Sequence, residues 1–448
     1  MTDETVQLAE FAVGLRYEDI PEAVKQRARD SIADTFATIV FGSDLPWSRI
    51  VIDYARQMGA GGKSMILGDG PVPVSAPFAA LANGALAHAF ELDGPTRPSS
   101  GVHPGAMLLS GGLAVAQDGG FDGKAFLTAF VTASEVMIRI ARATKHSNEA
   151  RGFHGPGTTG PFGAAVAGGK MMGFDKSRMV NALGIAGELP CGLVEFSRSG
   201  TGAMVKRLHF GRAAEGGVMA AYLAAKGFTG PHKILEGDCG FLKVYCDDYD
   251  VSQLTKNLGS EWLTSRIMMK RYACHSTGHT PVQAMLNLKA REGLKAAEVE
   301  SITIEAGKKE LGRHNIPEPE DVMIGQYSVP FCSALALLAD ASDPTVFRDA
   351  DVKSPELRAL MARITLVPHS APPATPTSTT TIVRTKDGRT FKETVLECKG
   401  TPENPLSSAE LREKFLLLTR ERGAEKMGAL FDRIQTLERE KNLNWMSV

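Results

Sequence analysis

Residues 78–105 constrain this chain more than any other stretch. Phe78, Leu81, Ala82, Ala85, Leu86, Ala89 and Phe90 recur at three- and four-residue spacing, the pattern of a buried helical face. The apolar run ends at Glu91 and Asp93. Gly94, Pro95, Pro98 and Gly101 then keep the backbone out of a helix, and Pro104 suits the first turn of a new one. Glu91, Asp93, Thr96, Arg97 and His103 are thereby gathered on one irregular segment between rigid elements, where catalytic groups can be held in place. The same residues could act only as turn caps and a helix start, and the stretch alone leaves both readings open.

Helical patterns fill the first 265 residues. Two or three amphipathic helices are expected over 5–60, one opened by Pro21 and buried through Val24, Ala28, Ile32, Phe36 and Ile39. Further helices are predicted over 105–117, 124–143, 176–187 and 211–226. A polar loop at 144–160 carries His146, Arg151 and His154, and the segment 190–210 carries Lys206, Arg207 and His209. With 46 glycines and many alanines, these helices can approach one another closely. The pattern changes after 265. Residues 300–305 alternate with period two, 363–366 form a second candidate strand, and 379–385 with 390–397 read as a hairpin closed by a type I′ turn at Asp387-Gly388. Helices at 279–292 and 329–340 lie between, and the Pro-rich 371–376 reads as a surface loop. Ser407-Ser-Ala-Glu410 is a capping box that restarts helix for the rest of the chain. The expected fold is mainly α with a smaller α+β domain, divided as 1–265, 266–400 and 401–448.

Composition removes several classes of function. A formal net charge of −1 gives no global field for nucleic acid or an anionic membrane. No apolar run reaches the length of a membrane span, and the acidic start, Met-Thr-Asp-Glu-Thr, does not resemble a signal peptide. The six cysteines contain no C-x-x-C pair, which fits reduced thiols and a cytoplasmic location. Gly155-Pro-Gly157-Thr-Thr-Gly160 formally matches a dinucleotide-binding glycine motif. No buried strand precedes it, and the next acid, Asp175, comes too early. A Gly-rich turn leading into a small-residue helix, Gly163 to Gly169, is the better reading.

Two basic clusters remain: Lys206, Arg207, His209 and Arg212, then Lys270, Arg271, His275 and His279. Each adjoins a Gly-rich or apolar segment that would draw part of it inward, and buried cations need anionic partners. In a nearly neutral chain, a substrate with several carboxylates is one such partner. His103 and His154 could move a proton at carbon next to a carboxylate, while the lysines and arginines stabilise the developing negative charge. Asp93 could fix a histidine tautomer or handle a hydroxyl leaving group. A metal is the rival reading, but the spacings match no zinc signature.

These segments, taken in order, resemble the MmgE/PrpD family of 2-methylcitrate dehydratases, cis-aconitate decarboxylases and iminodisuccinate epimerases. The matching residues are Asn83-Gly, His88, Glu91-Leu-Asp93, His103-Pro-Gly, Gly152-Phe-His154 and Lys206-Arg-Leu-His209-Phe-Gly. Gly227-Phe-Thr-Gly, Leu235-Glu-Gly, Lys270-Arg-Tyr, His275, His279, Ser328-Val-Pro-Phe-Cys332 and Pro402-Glu-Asn-Pro-Leu continue the set. The resemblance implies a large all-helical domain built from both termini, with the α+β domain inserted near the C-terminal third. It implies a homodimer, a site between the domains and no cofactor or metal. By position, Asp93, His103, His154, Lys206 and Lys270 would be catalytic, and Thr96, Arg97, His209 and His275 would bind substrate. Dehydration of a methylcitrate-like substrate leads among the expected reactions, followed by cis-aconitate-type decarboxylation and epimerisation; a non-catalytic carboxylate binder is the other possibility. Gly94 stands where relatives often carry a second acid, and an insertion shifts Thr96 and Arg97 in register. Phe331 stands where relatives often carry a tyrosine, and Tyr327, four residues earlier, is expected to fall short of the site.

Overall fold

Small residues set the spacing of the helices in the first part of the chain. The computed structural model describes residues 3–98, 101–197 and 202–448. Its helical body includes α1 (Glu22–Ser43), α2 (Ala76–Ala87), α3 (Pro104–Gly119), α4 (Gly123–Ala143), α5 (Gly155–Met171) and α6 (Val205–Ala225). The five apolar residues expected to form the α1 stripe are all buried. Helix α6 packs along both α5 and α2. A Cβ on Gly211 would lie 2.2 Å from the Leu81 carbonyl oxygen, and one on Gly84 would lie 2.9 Å from the Gly211 Cα. Larger residues would force α2 and α6 apart. This contact therefore also fixes the distance between the acids that follow α2 and the lysine at the start of α6.

The α+β part carries a four-stranded mixed sheet, β3 (Val299–Ala306), β4 (Ile364–Pro368), β5 (Thr379–Thr385) and β6 (Thr390–Val395), in the order β4-β3-β5-β6. Strands β3 and β4 run parallel with Ile302 opposite Ile364, and the β3–β5 and β5–β6 pairs are antiparallel. Helix α7 (His279–Glu292) lies on β5 and β6, and α8 (Val329–Leu338) packs on α7. The chain then returns: α9 (Ser408–Leu418) begins with the expected capping box and packs on α1. There Lys414 pairs with Asp34 inside the helical body. The large helical part is thus built from both termini, with the α+β part inserted between them in the chain.

Some local expectations need correction. The Gly-rich turn at 155–160 is instead the start of α5, with Pro156 in its first turn and Pro161 inside it; its glycines permit close packing, such as Gly160 against Ala213. Helix α6 begins at Val205, so Lys206, Arg207 and His209 sit on a helix. A small antiparallel ribbon, β1 (Ala60–Met65) with β2 (Pro73–Val74), lies within the helical part. The Gly61-Gly62 pair gave it no apolar alternation to read. The β5–β6 hairpin has no type I′ turn. Thr385 N donates to Arg389 O and Gly388 N donates to Thr385 O, leaving a three-residue loop in which only Gly388 has positive φ, at 90°.

Candidate active site

The acidic segment following α2 is fastened to the segment that carries Lys270. Arg97 N donates to Arg266 O at 2.8 Å, Met268 N donates to Pro95 O at 2.8 Å, and Thr96 bridges to Ile267. Gly94 lies under this contact, where a Cβ would be 1.6 Å from the Met268 carbonyl oxygen. A side chain at position 94 would meet this carbonyl unless the two segments moved apart. The tie also holds Asp93 and Lys270 in a fixed relation.

Glu91 is the electrostatic centre. Its backbone is left-handed at φ 56°, a costly conformation for a residue with a side chain, and one that concentrates at functional sites. Its carboxylate accepts from Lys206 Nζ, from Lys270 Nζ at 3.0 Å and from Tyr327 Oη at 2.9 Å. His88 Nε2 lies 3.2 Å away. Burial alone would raise the Glu91 carboxyl, but the two ammonium groups and His88 hold it well below the usual range. Burial pulls Lys206 down to about 8, against the upward push of Glu91. Two ammonium groups share one carboxylate, so the cluster keeps a net positive charge and spare N–H donors.

Asp93 is fully buried and holds two imidazoles. Its Oδ1 is 2.7 Å from His88 Nδ1, and its Oδ2 is 2.8 Å from His103 Nδ1. Burial works to raise this carboxyl, and the two histidines overcome it and hold it low. Burial lowers His103, partly offset by Asp93. The neutral ring therefore donates Nδ1–H to Asp93 and leaves Nε2 available on the cavity side. Phe210 from α6 stacks on His88 at 3.8 Å and meets His103 edge-on at 5.3 Å, fixing both rings.

Two further histidine groups complete the walls. His154 caps α5 and lies 3.0 Å from His209, Nδ1 to Nδ1. Burial keeps both rings neutral, His154 well below its ordinary value and His209 at about 4. His275 stacks on His314 at 4.3 Å and on Tyr327 at 5.3 Å. His314 ends a π-helical turn, Glu310–His314, and burial holds it at about 4. These groups line a cavity of about 440 Å³. Among the described residues its wall carries five cationic side chains, Lys206, Arg207, Lys270, Lys309 and Arg313, against two acids, Glu91 and Glu149, so a polyanion is its natural occupant.

His103, His154, Lys206, Lys270 and His275 all line this cavity, with Asp93 and His209 directly behind it. Thr96 is buried in the tie to Ile267, outside the cavity lining. Arg97 faces a neighbouring cavity and pairs with Glu397 at 3.4 Å. The expectation that Tyr327 falls short is overturned, because its hydroxyl reaches Glu91. Phe331 is completely buried beside Phe347, away from the cavity. Sequence reasoning placed Glu91 on the catalytic segment and Arg207 in a basic cluster without giving either a partner, met His88 only among the residues matching the family, and did not single out His314. For His88 and Glu91 a signal existed: they lie three residues apart at the end of a helix, where their side chains can meet. His88, Asp93 and His103 are one trio of metal-ligand type whose donor atoms converge within 4.8 Å among the described residues. Their short N···O separations are hydrogen bonds that use the Nδ1 protons a metal would have to displace.

The MmgE/PrpD N-terminal domain family model matches residues 6–254, and the MmgE/PrpD C-terminal domain family model matches residues 272–437. The chain belongs to the MmgE/PrpD family. Among its relatives, a cis-aconitate decarboxylase of Aspergillus terreus is 30% identical over 386 residues, covering 81% of this chain and 77% of that protein. The Homo sapiens cis-aconitate decarboxylase is 25% identical over 416 residues, covering 90% of this chain and 85% of that protein. The Mus musculus cis-aconitate decarboxylase is 26% identical over 429 residues, covering 92% and 86%. Among the described residues of this MmgE/PrpD chain, no helix is long and apolar enough to cross a membrane.

Proposed function

We propose that this MmgE/PrpD protein is a lyase that decarboxylates a small unsaturated tricarboxylate of the cis-aconitate type. The carrying observation is a net-cationic cavity with an Asp93-backed histidine in its wall. The relatives named as cis-aconitate decarboxylases favour this reaction over the dehydration that sequence motifs placed first. In the proposed step, the bond from the carbon skeleton to one carboxylate breaks and carbon dioxide leaves. The electron pair stays on the skeleton, delocalised onto a neighbouring carboxylate, and a proton is delivered to carbon. Lys206 and Lys270 stabilise the developing charge. His103 is the proton donor. It is neutral in the empty site, but a polycarboxylate bound nearby adds to the push of Asp93 and favours the imidazolium. Asp93 holds the ring through Nδ1, so the proton is delivered from Nε2. Tyr327, whose hydroxyl is pushed well above its ordinary value by burial and Glu91, stays protonated and orients Glu91.

A hydro-lyase is the second reading. A neutral His103 with a free Nε2 is also ready to remove a proton, as dehydration of a hydroxy-tricarboxylate requires. Incubation of the pure protein with cis-aconitate, 2-methylcitrate and iminodisuccinate, followed by NMR and carbon dioxide detection, separates these reactions. Stoichiometric carbon dioxide from cis-aconitate is expected. Water loss from 2-methylcitrate without carbon dioxide from any substrate would replace the first reading with the second. Cytoplasmic location and a homodimer are carried with the proposal; sedimentation of the dimer should give twice the 47.9 kDa chain mass.

A further inference from the structure

Among the described residues, every buried lysine and arginine but one has a carboxylate partner. Arg29, Arg97, Arg139, Lys206, Lys270 and Lys414 each have a carboxylate oxygen within 4 Å. Arg207 is only 4% exposed and has no ion pair among the described residues. It follows Lys206 on α6 and lines the same cavity. Its Nε and Nη1 make only long bonds, 3.4 Å each, to the carbonyls of Ala89 and Ala203, and Trp47 lies 5.9 Å below the guanidinium. Its Nη2 is buried without a hydrogen-bond partner. A guanidinium cannot escape this position by losing its proton, as a lysine can. An unpaired buried charge is costly, and because Arg207 lines the cavity, an anion held there would relieve it.

We propose that Arg207 anchors one carboxylate of the substrate, so that a ligand anion supplies the ion pair this side chain does not make within the protein. This rests on the carboxylate-lyase reading of the same cavity. The division of labour follows from the contacts. Lys206 and Lys270 are already shared with Glu91 and act where charge develops. Arg207 has no carboxylate partner, and a small turn of its guanidinium would bring the buried Nη2 to the cavity and present the planar donor fork that matches a carboxylate. As an anchor it contributes to binding and to the choice of substrate, and the residue that moves the proton remains His103.

The test is calorimetric titration with tricarballylate, a saturated tricarboxylate without the double bond the reaction needs, into wild type, Arg207→Gln and Arg207→Lys. Losing a charge-assisted hydrogen-bonded pair should weaken binding roughly 10- to 100-fold in Arg207→Gln. Arg207→Lys, which keeps the charge but loses the fork, should fall between the two and serves as the readout if the glutamine variant does not fold. In turnover with cis-aconitate, the loss should appear mainly in KM. A variant with a lower melting temperature but tricarballylate affinity within about twofold of wild type would overturn the inference, leaving Arg207 as a packing residue against Trp47. Wild-type protein that binds neither tricarballylate nor cis-aconitate would overturn the carboxylate reading itself, and this inference with it.

Discussion

Replacing Glu91 with glutamine removes the one carboxylate shared by Lys206 and Lys270 while keeping its shape. The amide places a donor against two ammonium groups and leaves both charges buried without a counter-ion. Removing one partner of a buried pair costs about 3–5 kcal/mol. Unfolding entropy of roughly 2 cal/mol/K per residue over 448 residues gives about 0.9 kcal/mol/K, so the melting temperature should fall by about 3–5 °C. The pH dependence has a definite sign. Lys206 is already drawn down to about 8, below its ordinary value, so folding disfavours its charged form. Stability from this group therefore rises with pH from the folded value up to the ordinary one. Without Glu91 the folded value drops further. The defect in Glu91→Gln should thus be largest at low to neutral pH and shrink as pH rises through that lowered value. Citrate should raise the melting temperature of the variant more than that of wild type, because a bound anion supplies the missing charge. Differential scanning calorimetry at two pH values, with and without citrate, reads all three effects. A variant that melts with wild type and responds equally to citrate would refute Glu91 as the counter-ion of the two lysines.

The other contacts give more predictions. Tyr327→Phe removes the third donor to Glu91 while leaving the stack on His275, so turnover should fall about tenfold or more with little change in melting temperature; unchanged turnover would confine the hydroxyl to a structural role. Gly94→Ala forces a methyl into the Met268 carbonyl, and it should lower both the melting temperature and kcat by parting Asp93 from Lys270; a folded variant with normal kcat would show that the tie yields cheaply. Binding of a tricarboxylate should raise the His103 value, so titration calorimetry near pH 7 in buffers of different ionisation enthalpy should reveal proton uptake, and its absence would argue against His103 as the acid.

Much of this was legible before any coordinates. The helical body, the sheet strands and the capping box at Ser407 follow from periodicity and capping chemistry, which are local properties. That Asp93, His103, His154, Lys206 and Lys270 gather at one cavity could be expected, because loops and helix ends hold polar groups where they can meet. The rest depends on distance across the fold. Nothing local shows that Glu91 must adopt φ 56° to meet lysines more than a hundred residues away. Gly94 reads as a lost acid until the Met268 carbonyl is found against it. Tyr327 reaches the site because the turn before α8 brings it over His275, whereas Phe331, one helical turn later, faces the core. Arg207 looked like one member of a basic cluster, and only a comparison of every buried cation with its partners sets it apart.

The most direct measurement of the central claim is product formation from cis-aconitate in heavy water, with wild type and His103→Ala side by side. The wild type should release one carbon dioxide per substrate consumed and place one solvent deuteron on carbon in the remaining dicarboxylate. His103→Ala, with an unchanged circular dichroism spectrum, should lose on the order of 10²–10⁴ in rate. Wild type that forms neither carbon dioxide nor deuterated product, or a folded His103→Ala variant that turns over as fast as wild type, would contradict the account.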